Sequence, residues 1–277
     1  MAHNKRNQLR ELHLFAGAGG GILGGMLCGH RTVCAVELEK YPREVLLQRQ
    51  RDGILPEFPI WDDVRTFDGK PWRGKVDVVC GGFPCQDISC AGKGAGIDGE
   101  RSGMWGEMAR IIGEIRPQYA FVENSPMLVG RGLARVIGDL AEMGYDARWG
   151  IVSAADCGAP HIRERIWIVA KRSDLFSYSN NHRIGRRQQF AESIEKKDAE
   201  FTNTNGTHGK GDELAKRSQQ RYPNPGLFSW WESEPGMDRV ANGVDHWANR
   251  LKAIGNGQVP AVAALAWNTL MAKTLVK

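Results

Sequence analysis

Short apolar runs alternate with segments of helical periodicity along the first 170 residues or so. Runs typical of buried strands lie at Glu11–Phe15, Arg31–Glu37, Val76–Cys80, Tyr119–Asn124, Ile151–Val152 and Arg165–Ala170. Helical segments lie between them, at Ile22–Leu27, Tyr41–Arg51, Met104–Ile115 and Leu133–Leu140. In the last of these, apolar residues recur at i, i+3, i+4 and i+7. This alternation predicts an α/β fold with a Rossmann-like, doubly wound, mostly parallel sheet.

Polar residues follow several of the predicted strands, at Glu37, Asp63, Cys85 and Glu123. Parallel strands end at the same edge of a sheet, and ligands of such sheets bind in the crevice at that edge. We therefore expect these four side chains to lie along one rim, which is the predicted binding site.

The composition is ordinary for a water-soluble protein of 277 residues with a net charge of +5. No segment approaches the ~18 consecutive apolar residues of a membrane span, and the polar, basic N-terminus does not have the pattern of a secretory signal. The six cysteines form no CxxC pair, which favours a reduced cytoplasmic protein over a disulfide framework or a zinc site. We expect no metal.

The character of the chain changes after about Arg172. Residues 171–221 contain 11 Lys and Arg against 7 Asp and Glu, so +4 of the net +5 lies there. The stretch is either a solvated insertion or a loop-rich second lobe that lies along phosphates. A helix around Ala263–Met271 is predicted to return to the first domain.

A glycine-rich turn follows the first strand, with Gly17, Gly19, Gly20 and Gly21 in sequence GAGGG. Glycines allow a ligand to approach the backbone closely, and Glu37, 20 residues after Gly17, stands where a ribose hydroxyl would meet a carboxylate. The spacing differs from G-x-G-x-x-G. The turn therefore predicts an adenosine-containing cofactor without a diphosphate.

Cys85 lies beyond the third strand, directly after Pro84. A cysteine kept for packing would lie inside the apolar run, as Cys80 does. A thiolate in a turn is a suitable nucleophile for addition to an electron-poor ring. Cys85 is therefore a candidate catalytic nucleophile.

Two further clusters carry candidate chemistry. Glu123 closes a strand, where burial would raise its pKa and make it a proton donor. Arg163 and Arg165 precede the last strand at alternate positions and could orient a carboxylate or a phosphate.

Taken together, these motifs resemble the C5-cytosine-specific DNA methyltransferase family of bacteria and phages. The similar segments are Phe15–Gly20 (the S-adenosylmethionine loop), Gly82–Gln86 (the catalytic loop), Glu123–Asn124, Arg163–Arg165 and Gly255–Pro260. They occur in the order that the family has. The chain differs from the family pattern at His13, where Asp is usual, at His161, where Gln is usual, and at Ser125, where a hydrophobic residue is usual.

The resemblance implies transfer of a methyl group from S-adenosyl-L-methionine to C5 of a flipped-out cytosine, through a covalent bond between Cys85 and C6. Glu123 would protonate or hydrogen-bond N3, Arg165 would hold Glu123 and the carbonyl of the base, and Arg163 would support the site or face a phosphate. The segment Gln86–Gly103 would close over the base. The implied partner is double-stranded DNA, a cognate restriction endonuclease is a candidate second partner, and the expected state is a monomer in the cytoplasm, at the nucleoid.

The resemblance also assigns cofactor contacts and domains. The implied cofactor-binding residues are Phe15, Ala16, Gly17, Gly19, Gly20, Glu37, Leu38, Asp63, Val64, Gly82, Pro84, Asn256 and Gly257. Residues 1–172 with 250–277 would form the catalytic domain, and residues 173–249 the target-recognition region.

Three alternatives remain open. A tRNA cytosine-5 methyltransferase would share the same motifs and would differ in the polar stretch 171–250. An inactive DNA-binding relic of the fold would not need Cys85, Glu123 and Arg165. An NAD-dependent oxidoreductase is disfavoured by the GAGGG spacing.

Overall fold

The structure, a computed structural model, describes residues 8–84, 104–173 and 247–272. All of these residues belong to one compact unit, which comprises Met1–Ser177 and His246–Lys277. Cys85, the loop Gln86–Gly103 and nearly all of the region 173–249 lie outside the described residues. The division into a catalytic and a target-recognition domain therefore stays a prediction.

A seven-stranded sheet forms the centre of the unit. Its strands are β1 (Arg10–Leu14), β2 (Arg31–Val36), β3 (Ile60–Trp61), β4 (Val78–Gly82), β5 (Tyr119–Asn124), β6 (Tyr145–Val152) and β7 (Arg165–Arg172). Their spatial order is β3-β2-β1-β4-β5-β7-β6. Strands β1 to β5 pair in parallel, and β7 runs antiparallel to both of its neighbours, β5 and β6. The predicted α/β, mostly parallel sheet is confirmed.

Helices cover both faces of the sheet. They are α1 (Gly20–Leu27), α2 (Lys40–Arg51), α3 (Met104–Ile115), α4 (Leu128–Arg131), α5 (Leu133–Glu142), α6 (Trp247–Asn256) and α7 (Pro260–Ala272). One hydrophobic core lies between the sheet and helices α3 and α5. A second core, on the opposite face, includes Trp267 and Leu270 of α7. The last helix thus returns to the first domain, as predicted.

The side chains of β1 alternate between these two faces, as a strand requires. Leu12 and Leu14 enter the core under α3 and α5. Glu11 and His13 are also buried, and their side chains line a small cavity on the side of α1 and α7 together with Ala263. One face of β1 is therefore apolar, and the other buries two polar side chains.

Two strands differ from the sequence expectation. The prediction of Ile151–Val152 is too short, because β6 begins six residues earlier, at Tyr145. Strand β6 is at the edge of the sheet, so exposed Asp146 and Arg148 interrupt its apolar pattern. The short strand β3 was not predicted, since its two residues carry no periodicity.

Candidate active site

The parallel strands bring four predicted site positions to one edge of the sheet. Glu37 directly follows β2 and Asp63 comes two residues after β3, while Gly82 ends β4 and Glu123 is the penultimate residue of β5. Because these strands run in the same direction, their carboxyl ends meet along one rim. The described members of the predicted set lie there. Cys85 follows Gly82 by three residues.

The backbone of the turn after β1 has a conformation that lets a ligand approach it closely. Phe15, Gly17 and Gly19 all have positive φ, at 54°, 54° and 93°. Gly19 begins helix α1 as its N-cap, and the Ala16 N–H donates to the Val36 carbonyl at 3.0 Å. A Cβ at Gly17 would have no atom within 4 Å. This side of the turn is open to a ligand.

Glu37 ties the turn to the end of β2. Its Oε2 accepts a hydrogen bond from the Gly17 N–H at 2.7 Å, and its Oε1 accepts one from the Glu39 N–H at 2.8 Å. Burial, with 8% of the residue exposed, raises the pKa of Glu37, and the two N–H donors offset part of this rise. The carboxylate therefore orders the loop that would receive a cofactor.

Two large apolar side chains remain exposed beside these strand ends. Leu38 is 60% exposed and Trp61 is 47% exposed, which is unusual for their size. Next to Trp61, Asp63 accepts hydrogen bonds from the backbone and the guanidinium of Arg65, which lower its pKa. Val64 is buried in the core and supports this corner.

Glu123 is the buried acid of the site. Its Oε1 forms an ion pair with Nε of Arg165 at 3.1 Å, and its Oε2 accepts a hydrogen bond from Nε2 of Gln258 at 3.3 Å. Burial raises the pKa of Glu123, and the attraction of Arg165 and the Gln258 hydrogen bond only partly oppose that rise. A carboxyl held in this way keeps its proton to a higher pH than an exposed carboxyl does.

The start of the segment that leads to Cys85 is fixed by Asn124. The Asn124 Nδ2 donates to the Phe83 carbonyl at 3.0 Å, and its Oδ1 accepts from the Ser125 N–H at 2.8 Å. Phe83 is buried, and Pro84 follows it. Asn124 thereby holds the chain beside Glu123 up to the residue before Cys85.

Arg163 holds the C-terminal motif. Its Nη2 donates to the carbonyls of Gly255 at 2.6 Å and of Gly257 at 2.8 Å. Asn256, between them, ends α6 and is exposed. The guanidinium of Arg163 therefore anchors residues 255–257 next to the start of the strand that carries Arg165, and its role in the reaction stays a prediction.

Sequence reasoning missed Gln258, although it lies in the quoted motif Gly255–Pro260. Besides its contact with Glu123, Gln258 packs against the start of α1. A Cβ at Gly20 would lie 2.0 Å from the Gln258 carbonyl oxygen, and one at Gly21 would lie 2.3 Å from its Oε1. Two of the four glycines of GAGGG are therefore needed for close packing against Gln258, and Gly17 for the open side of the turn.

His13 and His161, the two histidines that differ from the family pattern, lie in different surroundings. His161 is exposed in the segment before β7. His13 is buried, and its Nε2 is 2.9 Å from Oε2 of Glu11. Neither of these residues contacts Glu37 or Glu123 in the hydrogen bonds of the described residues.

A Rossmann-like sheet with a glycine turn, a strand-terminal acid and a buried carboxyl at one rim defines a nucleotide- or cofactor-binding α/β protein. The sequence model of the family described as C-5 cytosine-specific DNA methylase matches residues 9–249. The chain belongs to this family.

The relatives agree with this assignment. The chain is 36% identical over 170 residues to the Type II methyltransferase M.PspPI of a Psychrobacter species, with 60% of this chain and 40% of the relative covered. It is 36% identical over 176 residues to the Type II methyltransferase M.Eco47II of Escherichia coli, with 61% and 41% covered. The chain thus spans less than half the length of these two relatives.

A solved structure has the same fold. The methyltransferase EhMeth of Entamoeba histolytica superposes with a TM-score of 0.51 at 16% identity, covering 62% of this chain and 56% of that one. Among the described residues, no helix has the length and apolar character to cross a membrane.

Proposed function

We propose that the protein is a DNA cytosine-5 methyltransferase, which transfers a methyl group from S-adenosyl-L-methionine to C5 of a cytosine. The observation that carries the proposal is the environment of Glu123. Its buried carboxyl, held by Arg165 and Gln258, lies beside the strand that leads to Cys85. Family membership supports the same reaction.

The residues at the rim fit the proposed cofactor. The open turn at Phe15, Ala16, Gly17 and Gly19 leaves room for a ligand against the backbone, and Glu37 offers a carboxylate to ribose hydroxyls. Leu38 and the Asp63–Val64 corner would hold the adenine. When bound, the cofactor supplies a methyl group on a positively charged sulfur, which makes that group electrophilic.

Cytosine needs activation before it can accept a methyl group, because C5 is a weak nucleophile. In the proposed reaction, the Cys85 thiolate forms a bond to C6 while N3 takes a proton from Glu123. The C5–C6 electron pair becomes available at C5, which takes the methyl group as the sulfonium S–CH₃ bond breaks and a neutral thioether leaves. A base then removes the C5 proton, the S–C6 bond breaks, and N3 returns its proton to Glu123.

Burial and the ion pair with Arg165 together give Glu123 its two roles. A protonated Glu123 can donate to N3, because burial raises its pKa. After donation, the carboxylate is stabilised by Nε of Arg165 at 3.1 Å. The acid can therefore release and recover a proton without leaving an unpaired buried charge.

Double-stranded DNA is the proposed substrate. A stacked cytosine does not expose C6, so the base must leave the helix at a cost of a few kcal/mol. The basic stretch 171–221 supplies charge for phosphate contacts. We further propose a cognate restriction endonuclease as a partner, since the relatives above are named Type II methyltransferases. We also propose that the protein is a monomer located at the nucleoid of the cytoplasm.

Replacement of the nucleophile tests the proposal. Cys85→Ala should abolish labelled-methyl transfer to duplex DNA while retaining cofactor binding. Cys157→Ala, which removes an exposed thiol, is the matched control and should retain activity. Turnover by Cys85→Ala would rule out the thiolate mechanism.

Two further measurements define the substrate. Duplex DNA with 5-fluorocytosine in the recognition site should become covalently attached to the protein only when cofactor is present. Parallel assays on duplex DNA and tRNA should give transfer to DNA. Transfer to tRNA alone would replace the DNA proposal with the tRNA alternative, and no transfer to either would favour the inactive relic.

A further inference from the structure

A cluster of metal-ligating side chains lies beneath the glycine turn. The carboxylate of Glu11, an imidazole nitrogen of His13 and the thiol sulfur of Cys80 all lie within 4.8 Å of one another. The three residues are only 2%, 4% and 4% exposed. The catalytic account above uses none of them.

We propose that Glu11, His13 and Cys80 form a binding site for one zinc ion, or a similar divalent transition metal. A carboxylate, an imidazole and a thiolate are the three ligand types that zinc takes in proteins, and three protein ligands are the usual number in an open site. The side chains surround a cavity of about 10 Å³, which suits a single small ion rather than an organic ligand.

The spacing of the donor atoms agrees with coordination. Sulfur of Cys80 lies 3.6 Å from Oε1 of Glu11, and Nε2 of His13 lies 2.9 Å from Oε2 of Glu11. Ligands about 2.0–2.3 Å from a tetrahedral zinc stand roughly 3.3–3.8 Å apart. The distance from sulfur to Oε1 already falls in this range, and the His13 contact, which is with the other oxygen, Oε2, would have to open by about half an ångström.

The charges also balance. Cys80 gives up its thiol proton when its sulfur coordinates a divalent cation. A thiolate, a carboxylate and a neutral imidazole around the ion then sum to zero charge. Buried charges are tolerated when they are paired or coordinate a metal, so this arrangement satisfies the two acidic groups at once.

His30 acts on the site through Glu11. Its Nδ1 lies 2.7 Å from Oε1 of Glu11, and its ring packs edge-on against Trp267 at a centroid distance of 5.0 Å. A partner of this kind orients a ligating carboxylate. His30 is therefore a positioning residue.

Helix α1 is shaped to pack over the cluster. A Cβ at Gly25 would lie 1.9 Å from Oε2 of Glu11, and one at Gly21 would lie 3.5 Å from Nδ1 of His13. The helix that begins at the cofactor turn thus lies directly against the proposed ligands. A bound ion would join β1 and β4 and would stiffen the base of the turn.

The spacing of the cysteines along the chain predicts no metal site. The proposed ligands stand at positions 11, 13 and 80, and the pairing of β1 with β4 places His13 opposite Cys80. A site assembled by strand pairing in this way has no short sequence motif.

Cobalt substitution tests the proposal on the full chain. The chelator-treated protein is titrated with Co²⁺ alone and with Zn²⁺ alone. We expect about one ion per chain and, with Co²⁺, a thiolate-to-cobalt charge-transfer band. The band should persist in Cys85→Ala, which excludes the catalytic thiol, and in Cys34→Ser, a buried cysteine that belongs to the core on the opposite face.

Variants of the proposed ligands, in contrast to these controls, should lose the metal site. Cys80→Ser should remove the charge-transfer band and weaken Zn²⁺ binding by more than about 100-fold, and His30→Gln should weaken it by roughly 10–100-fold. His13→Asn serves as a second ligand variant if Cys80→Ser does not fold by circular dichroism. A folded wild-type chain without the band, or a band that survives Cys80→Ser, would overturn the site.

Discussion

Gly82 and Glu123 are direct partners in the pairing of β4 with β5, and a Cβ at Gly82 would lie 2.2 Å from Oε2 of Glu123. Real Cβ atoms essentially never come this close to another heavy atom. The absence of a side chain at Gly82 therefore allows the buried carboxyl of Glu123 to lie against the strand that leads to Cys85, the proposed nucleophile. Gly82 therefore contributes to the site because it has no side chain.

Gly82→Ala should impair both catalysis and stability. The added methyl group displaces the buried Glu123 carboxylate from Arg165 and Gln258, so the free energy of unfolding should fall by about 1–3 kcal/mol. The displaced carboxyl no longer meets N3, and we expect kcat/KM for methyl transfer to fall at least tenfold. Steady-state assays and urea unfolding measure the two effects.

Gly106, on helix α3, provides the control for that variant. An added Cβ at Gly106, in the exposed face of α3, would have no atom within 4 Å. Gly106→Ala should leave activity unchanged and stabilise the protein by about 0.4–1 kcal/mol. Equal activity of the two variants would contradict the role given to Gly82.

Gln258→Met should change the pH dependence of the reaction. The Gln258 amide donates to Oε2 of Glu123, and this contact lowers the pKa of that carboxyl. Its loss should raise the pKa of Glu123 further, so the alkaline limb of the pH–kcat profile should move to higher pH. We also expect a several-fold loss of kcat. Gln48→Met, at an exposed position of α2, is the control and should leave the pH profile unchanged. An unchanged pH profile for Gln258→Met would contradict the role given to its contact with Glu123.

Glu37→Gln should weaken cofactor binding. The carboxylate accepts from two backbone N–H groups, one at each oxygen. An amide has a single oxygen, so its NH₂ group would face one of these donors and leave it unpaired. Calorimetric titration with S-adenosyl-L-methionine should show a tenfold or greater loss of affinity. Glu44→Gln, an exposed residue of α2, should bind normally, and equal affinities would exclude this role of Glu37.

Asp77→Asn should reduce stability at neutral pH and have a smaller effect as the pH falls. Both oxygens of Asp77 accept hydrogen bonds from the Arg10 guanidinium at 2.9 Å, and this contact lowers the pKa of Asp77. The stabilisation is therefore present above the usual carboxyl pKa and is lost as the pH falls through the lowered value. Because the pair is partly exposed, we expect about 0.5–1 kcal/mol at pH 7.

Urea unfolding at several pH values between about 7 and 2.5 measures this difference. The difference between the wild type and Asp77→Asn should shrink toward the acid end. Glu57→Gln, at an exposed position, should follow the wild type throughout. A difference that does not shrink as the pH falls would show that the effect is not the charge of Asp77.

The local patterns of the chain determined the fold class and three features of the candidate site: the glycine turn, Glu37 and Glu123. Alternating apolar runs and helical segments predict β1, β2, β4, β5 and the helices between them, because each element's periodicity is set by its own residues. The glycine turn, Glu37 and Glu123 are recognisable for the same reason. Each lies immediately next to a strand whose end is visible in the sequence.

Only the tertiary structure decided which distant side chains meet. Gln258 lies 135 residues from Glu123, and Cys80 lies 69 residues from Glu11; both pairs depend on strand order and on helices α1 and α7 packing against the sheet. Sequence periodicity tells which face a side chain occupies, but contact across the core depends on where every other element packs. For that reason the acid of the site was visible in the sequence, while its neighbour Gln258 and the Glu11–His13–Cys80 cluster appeared only in the folded chain.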